Sequence, residues 1–287
     1  MHLIKKIKNS RAASFVAVAV IYVIAAAIGV LVYRALELPV WLSLLIADAV
    51  ATVVTFIFSL IFQNASVYDP YWSVQPPVIV ILLAIGRGPT VLTVLLIAVI
   101  SFWALRLTAN WAYTFGGLDY QDWRYTMLAE KTGAFYPIIN FVGIHMVPTL
   151  VVYACTLPAV YAIIWGLEIS PFSYVFLAMS LAAAVMQGVA DIQMHKFRKN
   201  RDAAFIRHGL WKYSRHPNYL GEILMWWGVG LSVVAAMPSA WYLLLGALLN
   251  TLLFLFVSIP LAEGRQSKKA GYAEYKSQTR MLLPIVK

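Results

Sequence analysis

From Ala12 to Tyr33 the chain carries no charged residue. As a helix rising 1.5 Å per residue, such a run crosses the roughly 30 Å hydrocarbon core of a bilayer. Long apolar runs recur at Val40–Phe62, broken only by Asp48, and at Ile138–Ile164, Phe172–Ala190 and Ser239–Ile259. In lipid the backbone must satisfy its own hydrogen bonds, so each run is either a helix or part of a closed barrel. The runs are continuous rather than alternating at period two, which excludes the barrel. Composition agrees, with 62% hydrophobic and 12% charged residues, where a soluble domain has about 25% charged. No small-residue cleavage site follows the first run, so it reads as a span and not a signal peptide. The expected fold is all-α, a polytopic transmembrane bundle in one domain over residues 1–287.

About eight spans are expected. The first two are Ala12–Tyr33 and Val40–Phe62. Pro76–Ile85 and Thr90–Leu105 follow, parted by Gly86-Arg87-Gly88-Pro89. The fifth, Ile138–Ile164, is expected to kink at Pro148 and Pro158, because proline removes a backbone donor. Phe172–Ala190, a span opening at Tyr219 or Leu220 and running through Met237, and Ser239–Ile259 complete the set. Trp111–Pro137 reads as a loop or surface-lying helix able to cap a site.

The net charge is +10, and Lys5, Lys6, Lys8 and Arg11 precede the first span. Basic flanks stay in the cytoplasm, so both termini are expected there, with only Arg34 and Arg87 of the 22 bases opposite. Membrane topology thus accounts for the charge, and no nucleic-acid-binding domain is visible. Cys155 is alone, which excludes an intrachain disulfide. His145 has no second histidine or cysteine at ligand spacing, so no metal is expected.

Polar residues within apolar runs are costly and need partners. Asp48 is one; it serves either a helix-packing hydrogen bond or a substrate. In Gln63–Gln75 the hydrogen-bonding aromatics Tyr68, Tyr71 and Trp72 surround Asp69-Pro70 and Ser73. Such a cluster forms an interfacial belt or roofs a pocket, with Tyr68 or Tyr71 able to donate a proton beside Asp69, and Trp72 against substrate. Arg106 and Asn110 stand at i and i+4, on one helix face, and are further substrate-side candidates.

The densest polar stretch lies between Asp191 and Glu222, with seven Lys or Arg and three of the five His. It contains Asp191, Gln193, Lys196, Arg198 and Arg201, then Gly209-Leu210-Trp211 and Ser214-Arg215-His216-Pro217-Asn218-Tyr219, ending at Gly221-Glu222. Cationic donors beside the faces of Trp211, Tyr213 and Tyr219 suit a phosphorylated ligand that contains rings.

This signature, over 190–222, resembles the C-terminal element of the steroid 5-alpha-reductase family. It is most similar to the bacterial membrane proteins grouped as DUF1295, and sterol reductases and isoprenylcysteine carboxyl methyltransferases carry related signatures. The resemblance implies an integral protein, in a bacterium of the inner membrane, that binds NADPH from the cytoplasmic side and reduces a carbon–carbon double bond. The substrate would be steroid-like or another hydrophobic lipid, met among membrane lipids. Asp191, Gln193, Lys196 and Arg198 match one cofactor element; Arg215, His216, Asn218, Tyr219 and Glu222 match a second. Arg201 and Trp211 join them by position. The family's catalytic glutamate has no counterpart at Glu37, so the Tyr68–Ser73 cluster is its substitute by location only. A related methyltransferase would use the same turn for S-adenosylmethionine, which offers no phosphate to Lys196 and Arg198. A non-enzymatic transport or assembly protein is the third class.

Overall fold

The computed structural model describes residues 2–200 and 203–284. Helices α1 (His2–Lys8), α2 (Arg11–Ala35), α3 (Val40–Phe62), α4 (Tyr71–Ala84) and α5 (Val91–Thr114) open the chain. There follow α6 (Trp123–Thr132), α7 (Tyr136–Ile139), α8 (Val147–Trp165) and α9 (Pro171–Asn200). The rest comprises α10 (Pro217–Ala236), α11 (Leu245–Leu253), α12 (Ile259–Gln266) and α13 (Tyr272–Gln278). The protein is therefore an all-helical, polytopic membrane protein.

Among the described residues, seven helical segments are long and apolar enough to cross a membrane. The difference from the expected eight is Pro76–Ile85. It lies in α4, whose 14 residues reach only about 21 Å. The fifth expected span instead begins early, within a helical run over Trp123–Trp165. Its irregularity sits at Asn140–Met146, a π-helical turn directly before Pro148. A wider turn there accommodates the carbonyl that proline leaves without its usual donor. The Trp111–Pro137 stretch is not a free cap. Asn64 Nδ2 donates to the carbonyls of Leu118 (2.8 Å) and Tyr120 (2.9 Å), and the Asp122 amide to Ser66 Oγ (3.0 Å).

Local chemistry sets the helix ends. Ser10 caps α2, accepting from the Ala13 amide at 3.3 Å. At the end of α3, Gln63 takes a left-handed conformation (φ 48°), and the Asn64 amide returns to the Ser59 carbonyl at 2.9 Å. Pro217 opens α10, where a missing amide costs nothing.

The chain divides into two compact units. One extends to Leu83 and resumes over Leu107–Tyr153; the other comprises Ala84–Arg106 and continues from Ala154. The first has its core around Tyr68, Tyr71, Tyr125 and Ile144, with Tyr22 and Trp72 packed against it. The second is built on the antiparallel pair α9 and α10. A Cβ at Gly221 would lie 2.4 Å from Gln187 Cγ, and one at Gly228 would lie 2.6 Å from the Phe176 carbonyl. Small residues seven apart thus let the two backbones approach, the usual device where lipid supplies no hydrophobic drive. Outward positions are apolar: Val23 and Leu31 of α2 are 68% and 67% exposed, faces suited to acyl chains rather than water.

Candidate functional site

Two clusters of polar side chains are buried in the described residues, one in each unit.

In the first unit, a 3₁₀ turn over Ala65–Tyr68 leads into α4 and sets Tyr68 and Tyr71 three residues apart. Their rings stack with centroids 5.4 Å apart, and both are buried. The Tyr71 hydroxyl donates to Asp48 Oδ1 at 3.0 Å, and Gln75 Nε2 donates to Asp48 Oδ2 at 2.5 Å. Asp48 therefore has a hydrogen-bonding partner from another helix, the arrangement a carboxylate in a span requires. Tyr68 differs. Its hydroxyl shares a 2.8 Å hydrogen bond with Thr149 Oγ1, which in turn lies 3.0 Å from Thr52 Oγ1. A run of hydroxyls can reverse direction, so Tyr68 is able to accept from Thr149 while donating elsewhere. Tyr71 has committed its proton to Asp48.

Asp69 turns away from this pair and takes a hydrogen bond from the Tyr125 hydroxyl at 2.6 Å. Burial pushes its carboxyl up to about 6, although Arg124 and the Tyr125 bond pull it down. Its side chain attaches α6 rather than Tyr68 or Tyr71. Trp72 is half-buried against the same core. Asn110 lies on α5, its carbonyl accepting from Thr114 Oγ1 at 3.2 Å.

In the second unit the signature is folded around two carboxylates, Glu222 and Glu263. Glu222 is 4% exposed and accepts hydrogen bonds from three neutral donors. Trp103 Nε1 (2.8 Å) and Gln187 Nε2 (2.8 Å) reach Oε2, and Trp226 Nε1 (2.9 Å) reaches Oε1. Gln187 Oε1 accepts from Arg106 Nη2 at 2.5 Å, and Arg106 Nη1 pairs with Asp191 Oδ2 at 2.8 Å. Arg106, read from sequence as a substrate residue, is thus joined to Asp191, read as a cofactor residue.

Arg215 does not pair with Glu222. Its Nε donates to Glu263 Oε1 at 2.6 Å, and its Nη1 to the carbonyls of Thr279 and Lys276. His216 Nε2 lies 3.3 Å from the same Glu263 oxygen, and Lys276 Nζ 2.9 Å from the other. The reason is geometric: Arg215 precedes α10 in a short parallel bridge between Ser214 and Arg280, which aims it at the C-terminal segment. Trp211 is buried, donating from Nε1 to the Ala190 carbonyl (3.2 Å) and accepting at its own carbonyl from the Tyr275 hydroxyl. It belongs to the core and offers no open face for stacking. The Tyr219 ring stacks on His216, centroids 5.2 Å apart and 4° from parallel.

The remaining signature residues frame the surface. Gln193 Oε1 accepts from the Leu210 amide at 2.9 Å. Gly209 takes φ +61°, and a Cβ there would sit 2.5 Å from Gln193, so only glycine fits this turn. Ala190, Met194 and Phe197 face the core at helical spacing, which leaves Lys196 and Arg198 exposed. The half-buried Asn218 has no partner for Oδ1 among the described residues. Arg201 lies outside the described residues.

Sequence reasoning missed Trp103, Gln187 and Glu263. Glu263 had a legible signal, since an acid ending an apolar run needs a cation. The other two had none, because their roles follow from tertiary placement alone.

Among the described residues no group of three or more histidines, cysteines or acids is placed to hold a metal. No solved structure matches the chain. It is similar to an uncharacterized protein of Schizosaccharomyces pombe, 25% identical over 194 residues. That alignment covers 57% of this chain and 56% of the fungal protein, so the chain spans little more than half of its relative. Residues 55–279 match DUF1295, a protein family of unknown function, and with most of its length inside that match the chain belongs to the DUF1295 family.

Proposed function

We propose that this protein is an NADPH-dependent reductase of an activated carbon–carbon double bond in a hydrophobic lipid, steroid-like in one version of the reading. The observation that carries the proposal is the division of charge in the second unit. Asp191, Glu222 and Glu263 are each engaged inward, whereas Lys196, Arg198, Arg207 and Lys212 are exposed. A surface of this kind favours a polyanion, and a phosphorylated dinucleotide has more phosphate to offer than S-adenosylmethionine, which has none. In this reading Lys196 and Arg198 bind phosphate, and the Gly209 turn lets backbone approach the ligand. Arg215 and His216 hold the turn in shape through Glu263. No glycine-rich fingerprint of the Rossmann type is involved. The signature faces the cytoplasm under the basic-flank rule, across the inner membrane if the host is a bacterium.

NADPH, when bound, supplies a hydride to the β-carbon of the alkene. The chain's own part is to stabilise the negative charge that develops on the conjugated oxygen. Sequence leaves Tyr68 and Tyr71 both open as donor; the hydrogen bonding favours Tyr68, whose proton is not held by a carboxylate. Asp48 and Gln75 then fix Tyr71, and Tyr71 stacks against Tyr68 to orient it.

Tyr68→Phe is expected to slow single-turnover hydride transfer about 100-fold, the usual effect of losing one such donor. NADPH affinity should change by less than about twofold, because the donor acts mainly in the transition state. An unchanged transfer rate in Tyr68→Phe would remove Tyr68 from this role and return it to Tyr71.

A further inference from the structure

The first unit contains a set of buried polar atoms that the assignment of Tyr68 and Tyr71 does not use. His145 is fully buried in the π-helical turn over Asn140–Met146. Its Nδ1 lies 2.9 Å from the Asn140 carbonyl. A carbonyl only accepts, so Nδ1 carries the proton and Nε2 presents a bare lone pair. Nε2 has no partner among the described residues. The same holds for Asn140 Oδ1 and Gln75 Oε1. Gln75 Nε2 faces Asp48 Oδ2, which turns Oε1 away from the carboxyl. All three are acceptors. They belong to one neighbourhood: the His145 ring packs on Tyr68 with centroids 4.6 Å apart, Tyr68 stacks on Tyr71, and Tyr71 bonds to the carboxylate that Gln75 also holds.

Buried acceptors left unsatisfied cost about 1–3 kcal/mol each, more than a membrane core tolerates without return. The π-helical turn carries both Asn140 and His145, and such turns are frequent at functional sites. We infer that the first unit binds the hydroxyl-bearing head of a lipid alcohol, with His145 Nε2 as the acceptor of its O–H. A ketone or ether oxygen cannot fill this role, since it has no proton to donate. The proposal deepens the reductase reading by giving its lipid a hydroxyl besides the conjugated oxygen; alcohol binding by itself does not require NADPH.

The test uses full-length protein in a detergent without hydroxyl groups, such as lauryldimethylamine oxide. Farnesol and cholesterol are titrated beside their methyl ethers, with intrinsic tryptophan fluorescence as readout. The ethers keep the apolar body and an acceptor oxygen and lack only the donor. Wild type is expected to bind at least one alcohol about tenfold more tightly than its ether, the worth of one buried hydrogen bond. In His145→Phe that preference should fall to about onefold, while His145→Gln, which restores an acceptor, should recover part of it. Histidine-labelled wild-type protein supplies an independent reading: the bare nitrogen resonance of His145 should move on adding the alcohol and stay in place with the ether. Equal affinities for alcohol and ether, no binding of either pair, or an unchanged preference in His145→Phe would each overturn the proposal. If His145→Phe does not fold, the nitrogen resonance and His145→Gln decide it. NADPH titrated into the same wild-type sample tests the reductase reading separately, so alcohol selectivity without NADPH binding would sink that reading alone.

Discussion

Glu222→Ala is expected to destabilise the folded protein by about 3–5 kcal/mol. The carboxylate is the common acceptor of Trp103, Gln187 and Trp226. Removing it leaves three buried N–H groups in an apolar setting, each costing about 1–3 kcal/mol, with partial relaxation of the Gln187 amide. It also loosens Arg106, since Gln187 Oε1 accepts from that guanidinium. The replacement therefore acts on folding first and on any ligand second. Glu222→Gln retains one acceptor oxygen and should lose about half as much. Denaturant unfolding in detergent, followed by tryptophan fluorescence, measures both. A Glu222→Ala midpoint equal to wild type would contradict the role assigned to the carboxylate.

Glu263→Ala is expected to cost about 3–5 kcal/mol in local stability of the C-terminal segment, because it strands a buried arginine. Arg215 is 7% exposed and would keep the carbonyls of Thr279 and Lys276 but no carboxylate among its hydrogen-bond partners in the described residues. His216 and Lys276 lose the same partner. With this ion cluster gone, neutral hydrogen bonds such as Tyr275 to the Trp211 carbonyl are left to hold the segment, and α13 should open more often. Limited trypsin digestion reads this directly, as faster cleavage after Lys276 and Arg280 in Glu263→Ala than in wild type. Combining it with Arg215→Met, which removes the stranded charge, should restore much of the protection. Cleavage at the wild-type rate in the single variant would show that the segment is held by other means, such as the Phe205 contacts with Tyr272 and Tyr275.

The elements that sequence made legible are those governed by local rules. Apolar length located the long spans, Gly86-Arg87-Gly88-Pro89 marked the break before α5, and Pro148 marked irregularity in the fifth span. Asp48 stood out because a carboxylate in an apolar run needs a partner, and a partner is what Tyr71 and Gln75 supply. What stayed hidden was decided by residues far apart in the chain. Arg215 and Glu222 stand seven positions apart and match one cofactor element by resemblance. The chain turns at His216-Pro217, sending Glu222 to Trp103 and Arg215 to Glu263. Trp211 looked like a stacking surface beside cations, yet its indole N–H is needed by the Ala190 carbonyl. Position alone could not separate Tyr68 from Tyr71; the difference lies in one hydroxyl partner and one carboxylate partner.

The central claim is that the exposed bases around the signature bind a phosphorylated nicotinamide cofactor. Calorimetry on one detergent-solubilised preparation, titrated in turn with NADPH, NADH and S-adenosylmethionine, tests it most directly. Saturable binding is expected for NADPH and none for S-adenosylmethionine. In Arg198→Ala, NADPH should weaken about tenfold, the scale of one charge-assisted phosphate contact. NADH should weaken equally if Arg198 holds the pyrophosphate, and much less if it reads the 2′-phosphate. Saturable S-adenosylmethionine binding without either nicotinamide would contradict the account in favour of a methyltransferase, and silence from all three in folded protein would contradict both enzymatic readings.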